Sequence, residues 1–218
     1  MRNRLIPVCV TLVSALSVTV AQADVGINLK AGTLGAGVEL SKSFGDKFSM
    51  GLGFNSYDYK TTDRASDIDY DFNFDLQSVA LLANYHPFGG TFRVTGGALY
   101  NKNELKLTGT PTAGSTYTIN GVSYSAAQVG TLTGTLVFDK TAPYLGLGWG
   151  NRPNSRVGVS FDIGALYQGS PSLSLNATGA LGDPALASDL EQERRSAEED
   201  LSDFKWYPVI ALGVYFRF

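Results

Sequence analysis

Apolar and polar residues take alternate positions along most of this chain, and the alternation is cleanest at its end. Trp206, Pro208, Ile210, Leu212, Val214, Phe216 and Phe218 occupy one phase; Lys205, Tyr207, Val209, Ala211, Gly213, Tyr215 and Arg217 occupy the other. Side chains alternate faces along a strand, so one face is apolar with aromatic ends and the other is small or polar. An apolar face about ten residues long with aromatic rims suits a strand with lipid on one side.

The same period recurs upstream. Val25, Ile27, Leu29 and Ala31 are odd, whereas Leu34, Ala36, Val38 and Leu40 are even, so the phase switch predicts a turn or a new strand near Gly32. Phe48, Met50, Leu52 and Phe54 alternate with glycines and lead into the polar run 58–69. Tyr70, Phe72, Phe74 and Leu76 alternate with Asp71, Asn73, Asp75 and Gln77, which predicts an apolar lipid face opposite a polar one. Further strands are predicted from Thr91 to Tyr100, over 141–149 and over 157–167. Residues 101–139 read as a polar loop with a small hairpin at Asn120-Gly121, and 169–204 as a second excursion ending in an acidic helix over 184–203.

The order of turns gives a topology. With Phe218 on the periplasmic side, the short turns 43–46, 87–90 and 151–154 fall on that side and the long segments 58–69, 101–139 and 169–204 fall outside. Seven strands are clear, and Asp24–Ala31 supplies an eighth. The expectation is an all-β, eight-stranded antiparallel transmembrane β-barrel, an up-and-down meander with long extracellular loops. The terminal Phe resembles the C-terminal signal read by the barrel-insertion machinery of the bacterial outer membrane.

Composition changes the picture in three ways. Arg2 and Arg4, the apolar run Leu5–Val20 and Ala21-Gln22-Ala23 read as a signal peptide over 1–23, leaving 24–218 as the mature barrel. The single cysteine, Cys9, lies inside that signal, so the mature chain has no disulfide. The formal charge of −3 becomes −5 without the two arginines, which argues against nucleic acid as a partner.

Three stretches carry a resemblance: Ala142–Gly148 (APYLGLG), Ala165–Pro171 (ALYQGSP) and Phe204–Val209 (FKWYPV). They are similar to segments of the CarO-type (carbapenem-associated) outer-membrane proteins. The resemblance implies an eight-stranded barrel and, as a function, uptake of ornithine or other basic amino acids. No functional residue is carried over from the family.

The candidate lumen-lining residues are Asp71, Asn73, Asp75, Gln77, Arg93, Tyr144, Arg156, Asp162, Tyr207 and Arg217. They are consistent with a narrow polar path selecting by charge, and equally with charges that pair and fill an eight-stranded interior. Asp183, Asp189, Glu191, Glu193, Glu198, Glu199, Asp200 and Asp203 form a candidate acidic mouth that would steer small cationic solutes inward. Neither cofactor nor metal is expected: His86 is the only histidine and has no nucleophile motif beside it. The resulting expectation is a non-enzymatic monomer in outer-membrane lipid that acts as a narrow porin-like channel for small, preferentially cationic solutes such as basic amino acids; the alternative is a non-conducting barrel with a structural or loop-binding role.

Overall fold

A computed structural model describes residues 25–65, 68–112, 114–151 and 156–218. The predicted signal peptide lies outside the described residues. Eight strands close into a barrel: β1 (Val25–Gly32), β2 (Gly35–Phe44), β3 (Phe48–Ala65), β4 (Ile68–Tyr85), β5 (Phe92–Asn101), β10 (Thr141–Trp149), β11 (Val157–Tyr167) and β13 (Trp206–Arg217). Each pairs antiparallel with the next, and β13 closes on β1 from Gly26↔Arg217 to Gly32↔Ala211. The strand proposed before Gly32 is therefore real, and it is the one the C-terminal strand needs for closure.

The outward face is the predicted apolar one. Leu29, Leu40, Met50, Leu52, Leu81, Leu145, Val159 and Leu212 are all exposed. Aromatic rings edge this band at the end carrying the chain terminus. Phe92 and Trp149 lie 5.6 Å apart, Trp149 and Phe161 5.9 Å, and Phe48 stacks on Tyr85 at 4.9 Å. At the other end Tyr167 meets Trp206 edge-on at 5.0 Å. Ring pairs at these spacings form the girdles expected where a barrel meets the two membrane interfaces.

Where sequence reasoning expected long loops, the chain is folded. Strands β3 and β4 have 18 residues each, well beyond the about 9–11 that a tilted strand needs to cross lipid. They pair without a bulge from Phe48↔Tyr85 to Ala65↔Ile68. The run 58–69 is thus mostly hairpin. The projecting half of β4 then pairs with β6 (Glu104–Pro111), which continues through β9 (Leu132–Val137) to β12 (Ser172–Ala177).

This second sheet is covered by the hairpin β7 (Thr116–Ile119)–β8 (Val122–Ser125), the short helix α1 (Ala126–Val129) and helix α2 (Pro184–Asp200). The hairpin turns at Asn120 (φ 51°) and Gly121 (φ 75°), the two positive angles a tight turn of this kind requires. Ile68, Tyr117, Ile119, Tyr124, Val129, Ala177, Leu186 and Leu190 pack together as a core of their own. The barrel thus carries a structured cap at the end opposite its C terminus.

The cap corrects one sequence assignment. Because β3–β4 pairing is continuous, Tyr70, Phe72, Phe74 and Leu76 lie on the same face as buried Ser78, Ala80, Leu82 and Asn84. They face inward beneath the cap, where Tyr70 packs against its core, and not toward lipid. Asp71, Asn73, Asp75 and Gln77 continue the outward face of Val79 and Leu81, above the apolar band, so they do not line the lumen. The apolar phase inverts between Leu76 and Val79 because the surroundings of each face change, not the backbone.

Candidate functional site: the filled lumen and its cap

Inward positions sort into layers along the barrel axis. Nearest the C terminus, Arg217 donates to Ser43 Oγ and, at 3.1 Å, to Asn151 Oδ1. Thr95 donates to Asn84 Oδ1 at 2.7 Å, and Asn28 and Ser160 bond across β1 and β11 at 3.0 Å. Serine, threonine and asparagine are short enough to fill a narrow barrel and can satisfy one another without water.

The next layer is ionic. Lys30 Nζ lies 2.5 Å from Glu39 Oε2 and 3.2 Å from Asp162 Oδ2. Asp162 Oδ1 accepts from Arg93, whose other terminal nitrogen donates to the Gly150 carbonyl at 2.8 Å. Glu39, Lys30, Asp162 and Arg93 thus form one chain from β2 through β1 and β11 to β5. All four side chains are buried or nearly so.

Glycine makes room for this layer. A Cβ on Gly148 would sit 2.6 Å from the Arg93 guanidinium carbon and from Asp162 Oδ1, and one on Gly51 would sit 2.8 Å from Glu39 Oε1. The glycines that alternate with apolar residues in β3 and β10 are therefore the places where long charged side chains lie against the wall.

Beyond the ionic chain the lumen turns apolar. Ala80, Leu82, Leu99, Ala142, Tyr144, Leu166 and Val209 form one cluster, with Leu34 and Tyr207 against it. Tyr207 Oη donates to the Thr33 carbonyl at 2.6 Å, tying β13 to the β1–β2 turn. A cavity of about 650 Å³ of empty space, its solvent-open part included, reaches from Leu34 and Leu99 down to Lys30, Glu39 and Asp162.

The sequence-predicted lumen set is thus partly brought together. Arg93, Tyr144, Asp162, Tyr207 and Arg217 face inward. Arg156 is exposed at the barrel end, where its carbonyl accepts from the Arg217 N–H at 2.7 Å, so it does not line the lumen. Asp71, Asn73, Asp75 and Gln77 lie on the outer face as described. Lys30 and Glu39 join the inward-facing residues although neither belongs to the sequence-predicted set; each sits in the polar phase of its strand, the signal by which it could be found. His86, buried beside the turn, is held by Nδ1 to the Gly90 carbonyl at 3.0 Å.

The acidic residues before β13 hold the cap together. Asp183 caps α2 by accepting from the Ala185 and Leu186 N–H groups, as aspartate at a helix start commonly does. Asp189 accepts from Tyr124 Oη at 2.5 Å and from Asn120 Nδ2 at 3.1 Å, and Glu193 accepts from the Asn120 N–H at 2.9 Å. Glu191 pairs with Arg194 and Arg195, and Glu198 with Arg194 and the Leu173 N–H. Glu199, Asp200 and Asp203 are exposed.

These contacts predict acid sensitivity. Hydrogen bonds from Arg194 and Arg195 hold the Glu191 carboxyl at about 2, and those from Tyr124 and Asn120 hold Asp189 below its ordinary value. Hydrogen bonds from the Leu173 N–H and Arg194 do the same for Glu198. Carboxylates depressed in the folded state stabilise it above their unfolded values, 3.8 for Asp189 and 4.5 for the two glutamates. That contribution is lost as pH falls through the folded values. Hydrogen exchange in α2 and the β7–β8 hairpin is expected to rise below about pH 4.5 while the barrel strands stay protected; equal loss in both would show that the cap does not open separately.

No protein-family model matches the sequence, and a search of curated proteins finds no match. Solved structures do match. Acinetobacter baumannii CarO2 aligns over 91% of this chain and 100% of its own at 27% identity and a TM-score of 0.62. Acinetobacter baumannii CarO aligns over 89% of this chain and 98% of its own at 29% identity and a TM-score of 0.61. Shared sequence at that level, the near-complete coverage and the closed eight-stranded barrel show that this chain is an outer-membrane β-barrel similar to the CarO proteins.

Proposed function

We propose that this outer-membrane barrel does not conduct solutes at rest, and that it serves the cell surface through its folded cap. One observation carries the reading: the chain Glu39–Lys30–Asp162–Arg93 crosses the lumen from wall to wall, with an apolar layer stacked on it. Passage would require breaking ion pairs that are out of water, and leaving one partner of such a pair buried alone costs about 3–5 kcal/mol. The acids of α2 are largely engaged in holding the cap, which weakens their case as a cation-selecting mouth.

A second reading is a gated route for basic amino acids, the use implied by the resemblance. The cavity above the ionic chain favours it, because Glu39 and Asp162 form part of its floor. A cation entering there would compete with Lys30 for both carboxylates. Liposome swelling separates the two: protein in vesicles with lysine, arginine or ornithine outside is expected to swell no faster than protein-free vesicles. Swelling with basic but not acidic amino acids would support the gated route instead. In either case we expect the monomer to be inserted through β13, just beyond which the Phe218 N–H bonds the Val25 carbonyl at 3.0 Å.

A further inference from the structure

The barrel wall forks where β4 exchanges β5 for β6. The β4–β5 ladder ends at Ser78↔Asn101, and the β4–β6 ladder begins at Asp75↔Glu104. Between them lies a cleft of about 830 Å³ of empty space, its solvent-open part included. Its lining includes Tyr100, Lys102, Phe138 and Lys140, with the acids Asp75 and Glu104. We propose that this cleft binds the phosphorylated headgroup of an outer-leaflet lipid.

Position supports it first. Tyr100 is exposed on the outward face of β5, and on β4 the outward face changes from Val79 to Gln77 at this level. The cleft therefore opens where hydrocarbon gives way to headgroups. Charge supports it next. Lys102 and Lys140 are exposed and brought together by the Asn101 N–H, which donates to the Lys140 carbonyl at 2.6 Å. Lys106 Nζ lies 2.5 Å from Glu104, leaving the two lysines against Asp75. The Lys102 ammonium lies 6.0 Å from the Tyr100 ring centre, its stem on the apolar surface and its charge at the interface.

The third observation is a buried donor. Asn101 is 2% exposed; its Oδ1 accepts from the Asn103 N–H at 3.0 Å, yet its Nδ2 has no hydrogen-bond partner. Such a group carries a desolvation cost that a phosphate oxygen in the cleft would relieve. Lysines, an unpaired amide donor and an aromatic floor suit a phosphate joined to an acyl chain. The inference rests on the outer-membrane barrel alone, and it stands or falls independently of whether the lumen conducts.

The test is lipid binding by the full mature chain folded in zwitterionic micelles, read by native mass spectrometry. Diphosphorylated lipid A is the probe, phosphatidylcholine the uncharged control and inorganic phosphate the chain-free control. Wild type is expected to bind lipid A about tenfold more tightly than a Lys102→Gln/Lys140→Gln variant, since each interfacial lysine contributes severalfold. Asn101→Ala should lose less, and Lys42→Gln/Lys47→Gln at the opposite end nothing. Unchanged lipid A affinity in the double variant, with its heat-modifiable mobility intact, overturns the proposal. So does displacement of lipid A by equimolar inorganic phosphate, which would make the cleft a free-anion site.

Discussion

Asp162→Ala is expected to destabilise the barrel by about 3–5 kcal/mol, the range for breaking a buried ion pair by removing one partner. Asp162 is the shared acid of the lumen: Arg93 bonds one of its oxygens and Lys30 lies 3.2 Å from the other. Its loss leaves two cations in a wall-lined interior with Glu39 as the remaining acid of that chain. Replacing Arg93 and Asp162 together with Met and Leu is expected to cost less than Asp162→Ala, because no uncompensated charge stays behind. Urea unfolding in lipid vesicles, followed by tryptophan fluorescence and heat-modifiable mobility, gives both numbers. A loss under about 1 kcal/mol for Asp162→Ala would mean that water reaches the pair, against a sealed lumen.

Leu81→Arg should cost about 2–4 kcal/mol, whereas Gln77→Arg, on the same strand and face, should cost about 0–1. Leu81 is 57% exposed, so the large cost cannot come from protein packing. It comes from placing a guanidinium among acyl chains. Gln77 lies one strand repeat beyond Val79, where the outward face has become polar. Equal costs at both positions would place the membrane boundary elsewhere on β4 and would remove the physical reason given for the phase inversion.

That inversion also explains which parts of the structure could be read from the chain. Period-two alternation gave the barrel strands, because lipid on one side and a filled lumen on the other are two constant surroundings. It identified the Gly32 turn and the pairing partner of β13. It failed on 70–77, where the alternation persists but its meaning reverses. Tyr70 looks like a lipid-facing residue because a protein core selects the same side chains that lipid does. Only the change of phase between Leu76 and Val79, with no glycine or proline between, distinguishes a strand leaving the membrane from one within it.

The site was half legible for a related reason. Arg93, Asp162 and Arg217 stood out as charges in otherwise apolar alternation. Lys30 and Glu39 carried the same signal, but which charges meet depends on barrel stagger, which one strand at a time does not reveal. Of the cap, the Asn120-Gly121 hairpin and the acidic helix were legible; β6, β9 and β12 were not, because these strands are short and rich in threonine or serine and their stability comes from contacts between segments far apart in sequence. Ile119 and Leu190 share one core.

The most direct measurement is current through single proteins in a planar bilayer. Wild-type protein in 1 M KCl is expected to give no resolved conductance steps, and the Arg93→Met/Asp162→Leu variant none either, since apolar replacements keep the lumen filled. Stable steps from the wild type, carrying lysine or ornithine as the charge carrier, would contradict the closed lumen and establish a conducting path through the ionic layer.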